Sequence, residues 1–452
     1  MKTIVLCNEY SQKMFPFDFH WQKTCLPIVN KPNILRIIEQ LIKNNCKEKD
    51  IYVVVGYRKD QVKSILKNYT ALNYIDVDPS NNLKTAYESM VAILDTEVLI
   101  YNAGSVITDN DFEIFLSSAH RNKAFFTKKV DASTNHICAK VTNNLVECFF
   151  GHPREHYVTH LVTGLYLLES ETFTNALKSD IGFDKNNSGA MPPQEFFLEN
   201  GLNQSLLNKR IHIVENTDEV FQLTFPWDLL NANEFYVSQL CQNLKKDEIG
   251  TNSSIDPSVR KNGYVKIGSN TTIGKNVVIN GNVVIGNNVL IDNGVILEGD
   301  TYIGDHTYIK DYAKVGEKTI IGLENKIGHN AEIKGLTMRG VSAIHYSEIF
   351  GVVGNYVDIA AACVTGILRF NDTEQPQRIA GKMYTGKNTN ALFLGDFTRT
   401  GINNIFLPGC KVGSNCALSP GLIVAKDIEH KKIVFQKQEL TTKEWGPEKY
   451  GW

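Results

Sequence analysis

Aliphatic side chains recur at every sixth residue through a long stretch of the second half of the chain. The positions in this register are Ile267, Ile273, Ile279, Ile285, Ile291, Leu297, Ile303, Ile309, Val315, Ile321, Ile327 and Ile333. A six-residue period is typical of a parallel β-helix, in which each hexapeptide supplies one short flat face and three of them complete a coil. Because each aliphatic residue stacks on its equivalents in neighbouring coils, no repeat is stable alone. The pattern predicts a β-helix over residues 259–430.

The register lapses at about residue 334 and resumes near residue 394. The later positions are Leu394, Thr400, Phe406, Val412, Leu418 and Val424. We therefore expect residues 335–393 to form a loop-rich insertion in the β-helix. The coil stack would be complete without it, and long loops on such scaffolds usually carry function, so the insertion is predicted to line a site.

Strand-like and helix-like segments alternate through the first 245 residues. The β-branched run at 3–7 is followed by an amphipathic stretch at 33–45, and a further strand-like run follows at 97–102. This alternation predicts a Rossmann-like α/β domain with a mostly parallel sheet covered on both faces. A helix beginning at Pro226 closes the domain, and the polar, turn-rich stretch 246–258 is the predicted linker.

Bulk composition excludes several classes of protein. The chain carries 47 basic and 49 acidic residues, a formal net charge of −2, which gives no support for a nucleic-acid partner. Its nine cysteines include no C-x-x-C pair and are odd in number, so we expect reduced thiols rather than disulfides or zinc. No apolar run is long enough for a membrane span or a signal peptide, and we expect a cytoplasmic protein.

Three sequence motifs, one at the end of the first half and two in the second half, are typical of a single protein family. They are "PWDLLNAN" at 226–233, "LRFN" at 368–371 and "TGINNIFLPG" at 400–409. With these motifs the chain resembles the bifunctional sugar-1-phosphate nucleotidyltransferase/amino-sugar acetyltransferases (N-acetylglucosamine-1-phosphate uridylyltransferase-like) over nearly its whole length. In that family the first half joins a sugar-1-phosphate to a nucleoside triphosphate, and the second acetylates an amino sugar with acetyl-CoA. The resemblance implies a left-handed β-helix, a homotrimer with acetyl-CoA between subunits, and a tail at 431–452 that packs on a neighbouring subunit.

The loop after the first strand departs from the family pattern L-A-A-G-x-G-T-R-x-x-P. Residues 6–16, "LCNEYSQKMFP", fit that pattern without a gap, but Glu9 and Ser11 replace the two glycines. Glycines let the backbone approach a triphosphate closely, and a carboxylate at this place repels phosphate. Downstream, Lys23 takes the place of the family's phosphate-contacting lysine. The alternative for Lys23 is a solvated surface lysine.

The two aspartates that hold Mg²⁺ in the family are also replaced. Gly104 or Ser105 falls at the first place and Gln222 at the second, so we expect no metal ligands and doubt a role for Mg²⁺. The family's sugar-binding E-K-P motif has become "GHP" at 151–153. These changes together predict that nucleotidyl transfer is lost.

Other motif positions of the first half are retained. By the resemblance, Thr85 lies near the base-reading loop, and Thr163 and Gly164 precede the strand that borders the substrate. These three residues are the remaining predicted substrate contacts of the α/β domain.

Acetyl transfer to an amine requires a base, and histidine is the usual choice because its pKa lies close to working pH. The family histidine lies in an H-L-[ST]-Y context, which matches "HYSE" at 345–348. The resemblance therefore makes His345 the candidate catalytic base and Tyr346 a substrate contact. The alternative for His345 is a hydrogen-bonded structural histidine.

The resemblance assigns further contacts around this base. Arg369 is a predicted substrate contact, Lys387 is the predicted contact to the substrate's phosphate, and Thr400, Gly401 and Asn403 are the predicted neighbours of acetyl-CoA. The alternative for the last three is that they are ordinary corner residues of the β-helix.

Three functions remain open from the sequence. The first is an acyltransferase that acts on an amino-sugar phosphate with acetyl-CoA, its nucleotidyl site being inactive. The second is an active sugar-1-phosphate nucleotidyltransferase with a site rebuilt around Asp109 and Lys23. The third is a non-catalytic subunit that binds a nucleotide sugar or serves assembly.

Overall fold

The computed structural model of the chain describes residues 1–77, 83–128, 136–151, 153–178, 197–379, 381–446 and 448. The first half forms an α/β domain, and the second half forms a parallel β-helix. Both predicted fold classes are confirmed. None of the described helices has the length and apolar character needed to cross a bilayer.

The strands of the α/β domain alternate with helices, as the sequence pattern predicts. They are β1 Lys2–Cys7, β2 Pro27–Ile28, β3 Lys31–Pro32, β4 Ile51–Val55, β5 Asn73–Asp76, β6 Glu97–Asn102, β7 Ser105–Val106, β8 Lys123–Thr127, β9 Ile137–Thr142, β10 Leu145–Gly151, β11 His160–Glu169, β12 His212–Glu215 and β13 Phe221–Gln222. Nine of them form one sheet in the order β5-β4-β1-β6-β11-β8-β12-β10-β9. The part from β5 to β6 is parallel, whereas β11 lies antiparallel to β6 and to β8.

Seven α-helices accompany this sheet in the described part of the chain. They are α1 Asn33–Lys43, α2 Lys59–Ile65, α3 Leu83–Val91, α4 Asp109–Ser117, α5 Ser170–Lys178, α6 Leu198–Ser205 and α7 Pro226–Gln242. The apolar stripe of α1, which includes Ile34 and Ile38, is buried in one of the two cores beside the sheet. Helix α7 begins at Pro226 as predicted, and the Asp228 carboxylate accepts the Phe225 N–H at 2.7 Å. That cap satisfies a backbone donor that the helix itself cannot pair.

The β-helix has three faces, each a ladder of parallel strands. The first face contains β14 Glu248–Ile249, β17 Val265–Ile267, β20 Val283–Ile285, β23 Thr301–Ile303, β26 Ile320–Ile321, β35 Leu392–Leu394 and β38 Lys411–Val412. The second contains β15 Ser254–Ile255, β18 Thr272–Ile273, β21 Leu290–Ile291, β24 Tyr308–Ile309, β27 Lys326–Ile327, β29 Ser342–Ala343, β31 Asp358–Ile359, β36 Arg399–Thr400, β39 Ala417–Leu418 and β41 Ile433–Val434.

The third face contains β16 Arg260–Asn262, β19 Val278–Asn280, β22 Ile296–Glu298, β25 Lys314–Val315, β32 Val364–Thr365, β37 Ile405–Phe406 and β40 Ile423–Val424. Two longer strands, β28 Glu332–Thr337 and β30 Glu348–Val353, cross a corner and pair on both the third and the first face. A separate hairpin joins β33 Gln377–Ile379 to β34 Lys382–Tyr384. Register residues such as Ile267, Ile285 and Ile303 pair one above another in the buried core, which confirms the predicted stacking.

The predicted linker at 246–258 is wrong, because these residues form the first coil. Ile249 pairs with Ile267, and Ile255 pairs with Ile273. Both residues follow the six-residue register, but Lys261 interrupts it and hides the continuity. As the edge of the stack, this coil leaves Ile249 53% exposed.

The predicted insertion at 335–393 is also wrong in extent. The coils continue to residue 365, but with sixteen residues instead of eighteen, so that Ile321 pairs with Thr337 and Ile333 with Ile349. One corner of each short coil lacks its two turn residues, and Gly335 there has φ +112°. A Cβ on Gly335 would lie 2.3 Å from the Gly351 carbonyl oxygen, so the tight corner requires glycine. The true excursion is confined to 367–391.

Helix α7 joins the two domains through a shared apolar core. Its Trp227 and Leu230 belong to the same buried cluster as Ile320, Leu336 and Phe393 of the β-helix. Full burial of one large apolar side chain contributes about 1.5–3 kcal/mol. The α/β domain and the β-helix are therefore packed as one unit.

Candidate functional site

The predicted phosphate-binding lysine already has an anionic partner. Lys23 Nζ forms an ion pair with the Glu9 carboxylate, and only 12% of the Lys23 side chain is exposed. The surface-lysine alternative therefore does not hold. The ammonium of Lys23 lowers the pKa of the Glu9 carboxyl, and a hydrogen bond from the Asn102 side chain lowers it further. The carboxylate therefore occupies the position beside Lys23 where the sequence comparison places a phosphate.

The position of the family's first metal-binding aspartate lies beside the same lysine. A Cβ on Gly104 would lie 3.2 Å from Lys23 Nζ and 3.1 Å from Asn102 Oδ1. The Asn102 side chain accepts the Gly104 N–H at 2.9 Å and so holds the loop after β6. Glu9, in the loop after β1, thus supplies the carboxylate that Gly104, in the loop after β6, cannot supply.

The position of the second aspartate is occupied by an engaged amide. Gln222 lies opposite Ser105 in the β7–β13 pair. Its Nε2 donates to the Val162 carbonyl oxygen at 2.6 Å, and its Oε1 lies 2.8 Å from His136 Nδ1. Magnesium prefers several carboxylate or phosphate oxygens, and the one carboxylate named here, Glu9, is paired with a lysine. Gly104 and Gln222 supply no carboxylate at the two aspartate positions, so these two residues do not fit the ligand set of Mg²⁺. In the described part of the chain no three His, Cys, Asp or Glu residues cluster as a metal site.

The other predicted contacts of the α/β domain lie in two places: Thr163 and Gly164 on β11, and Thr85 on α3. The Thr163 hydroxyl is buried and donates to the Phe125 carbonyl oxygen at 2.8 Å. Gly164 has φ +82°, and a Cβ on it would lie 2.7 Å from Asn102 Cβ, so glycine is required beside the loop after β6. Thr85 is exposed on α3. Of the "GHP" segment at 151–153, residue 152 lies outside the described residues.

The candidate base lies at a corner of the β-helix and contacts a second histidine. His345 Nδ1 and His329 Nδ1 are 2.7 Å apart, and their ring centroids are 4.4 Å apart. His345 and Tyr346 both have positive φ, +44° and +57°, as corner residues of this β-helix commonly do. Tyr346 is 59% exposed, and its ring centroid lies 5.2 Å from that of His329.

The predicted substrate contact Arg369 and the predicted phosphate contact Lys387 both lie in the excursion at 367–391. Arg369 Nη1 donates to Thr373 Oγ1 at 2.7 Å and to the Glu374 carbonyl oxygen at 3.1 Å, within its own loop. Lys387 Nζ pairs with Glu234 Oε2 of α7 at 2.8 Å. Their polar contacts are thus to the loop and to α7 rather than to His345.

The three predicted acetyl-CoA neighbours have roles inside the coil. Thr400 Oγ1 accepts the Ala360 N–H at 2.9 Å, and a Cβ on Gly401 would lie 2.4 Å from the backbone nitrogen of Pro420. Asn403 occupies a corner with φ +57°. Thr400 thus ends β36, Gly401 and Asn403 lie in the turn that follows, and the contact of all three with a coenzyme stays a prediction.

Sequence reasoning missed His329 as a partner of His345. The pairing follows from the sixteen-residue coil, because Ile327 lies opposite Ala343 and the next corner residues are therefore stacked. An eighteen-residue repeat would have placed residue 347 above residue 329. The signal in the sequence is the pair of glycines at 335 and 351, which marks the shortened coils.

Comparisons with known proteins agree with this architecture. A family profile described as "Nucleotidyl transferase" matches residues 2–191, and one described as "GMPPB C-terminal domain" matches residues 249–366. "Bifunctional protein GlmU" of Methanococcus maripaludis strain C7 is 30% identical over 448 residues, with 97% of this chain and 98% of that protein covered. A "Bifunctional sugar-1-phosphate nucleotidylyltransferase/acetyltransferase" of Sulfurisphaera tokodaii is 26% identical over 434 residues, with 95% and 98% covered.

A nucleotidyltransferase-type domain followed by a hexapeptide β-helix defines a two-domain transferase of the sugar-phosphate class. The chain belongs to the family of bifunctional sugar-1-phosphate nucleotidylyltransferase/acetyltransferases, and the resemblance seen in the sequence is confirmed.

Proposed function

We propose that this chain acetylates the amino group of an amino-sugar phosphate with acetyl-CoA, and that its α/β domain no longer transfers nucleotidyl groups. The names of the relatives support a place in sugar-phosphate chemistry. The observation that carries the proposal is the Lys23–Glu9 ion pair, because it makes the Lys23 ammonium unavailable for nucleotidyl transfer. The β-helix, in contrast, retains a histidine suited to the other reaction.

The argument against nucleotidyl transfer is electrostatic. A triphosphate must displace the Glu9 carboxylate before it can use Lys23, and hydrogen bonds between charged groups are worth about 1.5–3 kcal/mol each. The residues at the two aspartate positions, Gly104 and Gln222, supply no carboxylate to hold Mg²⁺, the ion that would offset the charge of the pyrophosphate leaving group. Transfer would therefore lack both the cation and the oxygen ligands that it requires.

The argument for acetyl transfer is that His345 Nδ1 contacts His329 and that none of the described residues bonds to His345 Nε2. In the proposed reaction the substrate amine attacks the thioester carbonyl carbon, so that a C–N bond forms and the C–S bond breaks. His345 Nε2 takes the proton from the amine and returns it to the departing thiolate. Tyr346 is exposed beside this base and is proposed to contact the sugar.

The proposal includes a homotrimer in the cytoplasm with acetyl-CoA between subunits. The last coils support an interface on the third face, where Ile405 and Ile423 lie one above the other and Ile423 is 66% exposed. Leu368 and Phe370 in the neighbouring excursion are also exposed. Exposed apolar groups in one region are typical of a surface that a partner covers.

Two assays on the full chain test the proposal. Release of free thiol from acetyl-CoA is measured against a panel of amino-sugar phosphates, and pyrophosphate release is measured with nucleoside triphosphates, sugar-1-phosphates and Mg²⁺. We expect thiol release that His345→Asn abolishes and that the control His306→Asn, at an exposed corner, retains. Pyrophosphate release that EDTA abolishes would instead establish a rebuilt nucleotidyltransferase. Release of neither product would favour a non-catalytic subunit.

A charge variant tests the α/β domain separately. Glu9→Gln frees Lys23, so we expect inorganic triphosphate to bind about 10–100-fold more tightly than to the unmodified chain, the equivalent of about 1.5–3 kcal/mol. Isothermal titration calorimetry measures the affinity. The control Glu147→Gln removes an ion pair with Lys140 on β9 and β10, and we expect it to leave binding unchanged. Equal binding by all three proteins would show that the carboxylate does not block Lys23.

A further inference from the structure

His345 and His329 lie one above the other in a single column of corner residues. Asp311, His329, His345 and Ala361 occupy equivalent places on four successive coils. Backbone bonds follow the same order, since Asn330 N–H donates to the Asp311 carbonyl oxygen and Tyr346 N–H to the His329 carbonyl oxygen. The backbones of His329 and His345 are therefore stacked, and both imidazole rings start from neighbouring positions in this column.

The histidine pair departs from the rule that governs lower coils of this column. Asn293 Oδ1 accepts the Lys275 N–H at 3.0 Å, and Asp311 Oδ1 accepts the Asn293 N–H at 3.2 Å. In those coils a side chain caps the backbone of the coil below. His345 instead bonds to the side chain of His329, with 2.7 Å between the two Nδ1 atoms. The contact is therefore not the ordinary corner ladder.

The short distance between two Nδ1 atoms constrains the protons. A neutral imidazole carries one N–H and one acceptor nitrogen, so this contact is a hydrogen bond only when one ring is protonated at Nδ1 and the other is not. If His345 is the donor, its Nε2 is an acceptor. If His329 is the donor, His345 carries its proton on Nε2 and cannot accept another there.

We propose that His329 is a positioning residue that sets the tautomer of His345: its Nδ1 accepts the Nδ1–H of His345 and leaves His345 Nε2 free to accept a proton. This inference rests on the proposed acetyl transfer. When His345 takes the proton of the amine, it becomes an imidazolium, and its Nδ1–H is then donated from a charged group to neutral His329. Hydrogen bonds from charged donors are stronger than neutral ones, so His329 favours the protonated base without carrying charge itself.

Other titratable groups near the pair are few among the described residues. Asp311 lies on the coil below His329, Tyr346 lies against the His329 ring, and the coil above His345 places Ala361 over it.

Removal of the acceptor tests the proposal. His329→Phe keeps a planar ring without an acceptor nitrogen, and His329→Asn keeps a side chain that can accept. We expect His329→Phe to lower kcat for acetyl transfer about 10–100-fold with an unchanged KM for acetyl-CoA, and His329→Asn to lose less. His306→Phe, at an exposed corner with φ +59°, is the matched control and should retain kcat. Melting temperatures show whether each variant folds.

The imidazole tautomers are read directly by ¹⁵N NMR on histidine-labelled full-length chain, with the His345 and His329 signals assigned from the variants. We expect His345 protonated at Nδ1 and His329 at Nε2, and we expect His345 to change tautomer in folded His329→Phe. The reverse assignment, or wild-type kcat in His329→Phe, would overturn the inference. If the chain acetylates no amino sugar, the proposed function fails, and the tautomer measurement still decides the histidine pair.

Discussion

Asp396 is the residue whose charge state is expected to control stability most directly. Its side chain is buried, and its Oδ1 accepts the Asn355 N–H at 2.8 Å in a corner ladder of the β-helix. Burial raises the pKa of this carboxyl to about 6. Asn355 makes the same type of ladder bond to the Arg339 N–H at 3.0 Å, so an asparagine fits this geometry. Asp396→Asn should therefore keep the hydrogen bond and remove the buried charge.

The size and sign of the effect follow from linkage. The folded pKa of about 6 exceeds the ordinary value of 3.8, so between these pH values the folded chain binds more protons at Asp396 than the unfolded chain. The free energy of unfolding therefore falls as pH rises through this window, and the loss is complete above about pH 6. At 1.36 kcal/mol per pKa unit the loss reaches ~3 kcal/mol. Asp396→Asn is expected to regain about 1–3 kcal/mol at pH 8 and little at pH 4.

Urea denaturation followed by tryptophan fluorescence and far-ultraviolet circular dichroism at the two pH values measures this difference. The control Asp305→Asn removes a carboxylate with the same ladder bond, to the Asn287 N–H at 2.8 Å, at a partly exposed corner. We expect a small change in the control. If Asp396→Asn lowers stability at pH 8, or changes it equally at both pH values, the buried charge is compensated, and Arg58 is the cation to examine next.

Two further predictions concern the shortened coils and the contact between domains. In a urea titration, Gly335→Ala should lower the free energy of unfolding by ~2–4 kcal/mol, because the added methyl group meets the Gly351 carbonyl oxygen and the residue has a positive φ. The control Gly381→Ala, at φ +82° with no atom near the added Cβ, should lower it by only about 1–2 kcal/mol. Lys387→Met leaves the buried Glu234 carboxylate without its cation and should lower stability by about 1 kcal/mol, visible as a lower melting temperature; no change would show that Asn388 alone satisfies Glu234.

The predictable parts of the fold are those that depend on local repetition. The six-residue register locates the core of the β-helix because each coil repeats the burial of the one before it, and the helix at Pro226 follows from local backbone rules. The coil at 246–258 was missed because Lys261 breaks the register at an edge. The coils at 335–365 were missed because a glycine corner shortens the repeat by two residues.

The sequence predicts where the site residues lie in the chain, but it does not predict which side chains they contact. Alignment with the family motif places Glu9, Lys23 and His345, but it does not say what each one contacts. The Lys23–Glu9 pair forms because the loop after β1 and the segment at 23–25 meet in space. The His345–His329 pair depends on coil length, which the alignment with the family motif does not give. Both contacts join residues that are far apart in the sequence, and the two proposals depend on them.

The first loop and the segment directly after it contribute to the contact between the two domains. Lys13, at the place of the family's arginine, lies 5.9 Å from the Phe225 ring and 5.7 Å from the Tyr384 ring of the excursion. A few residues later Phe19 stacks on His430 of the β-helix at 4.8 Å. Lys13 and Phe19 thus dock the start of the α/β domain on the excursion and on the last coils of the β-helix, and loss of either side chain is expected to weaken the interface between the two domains.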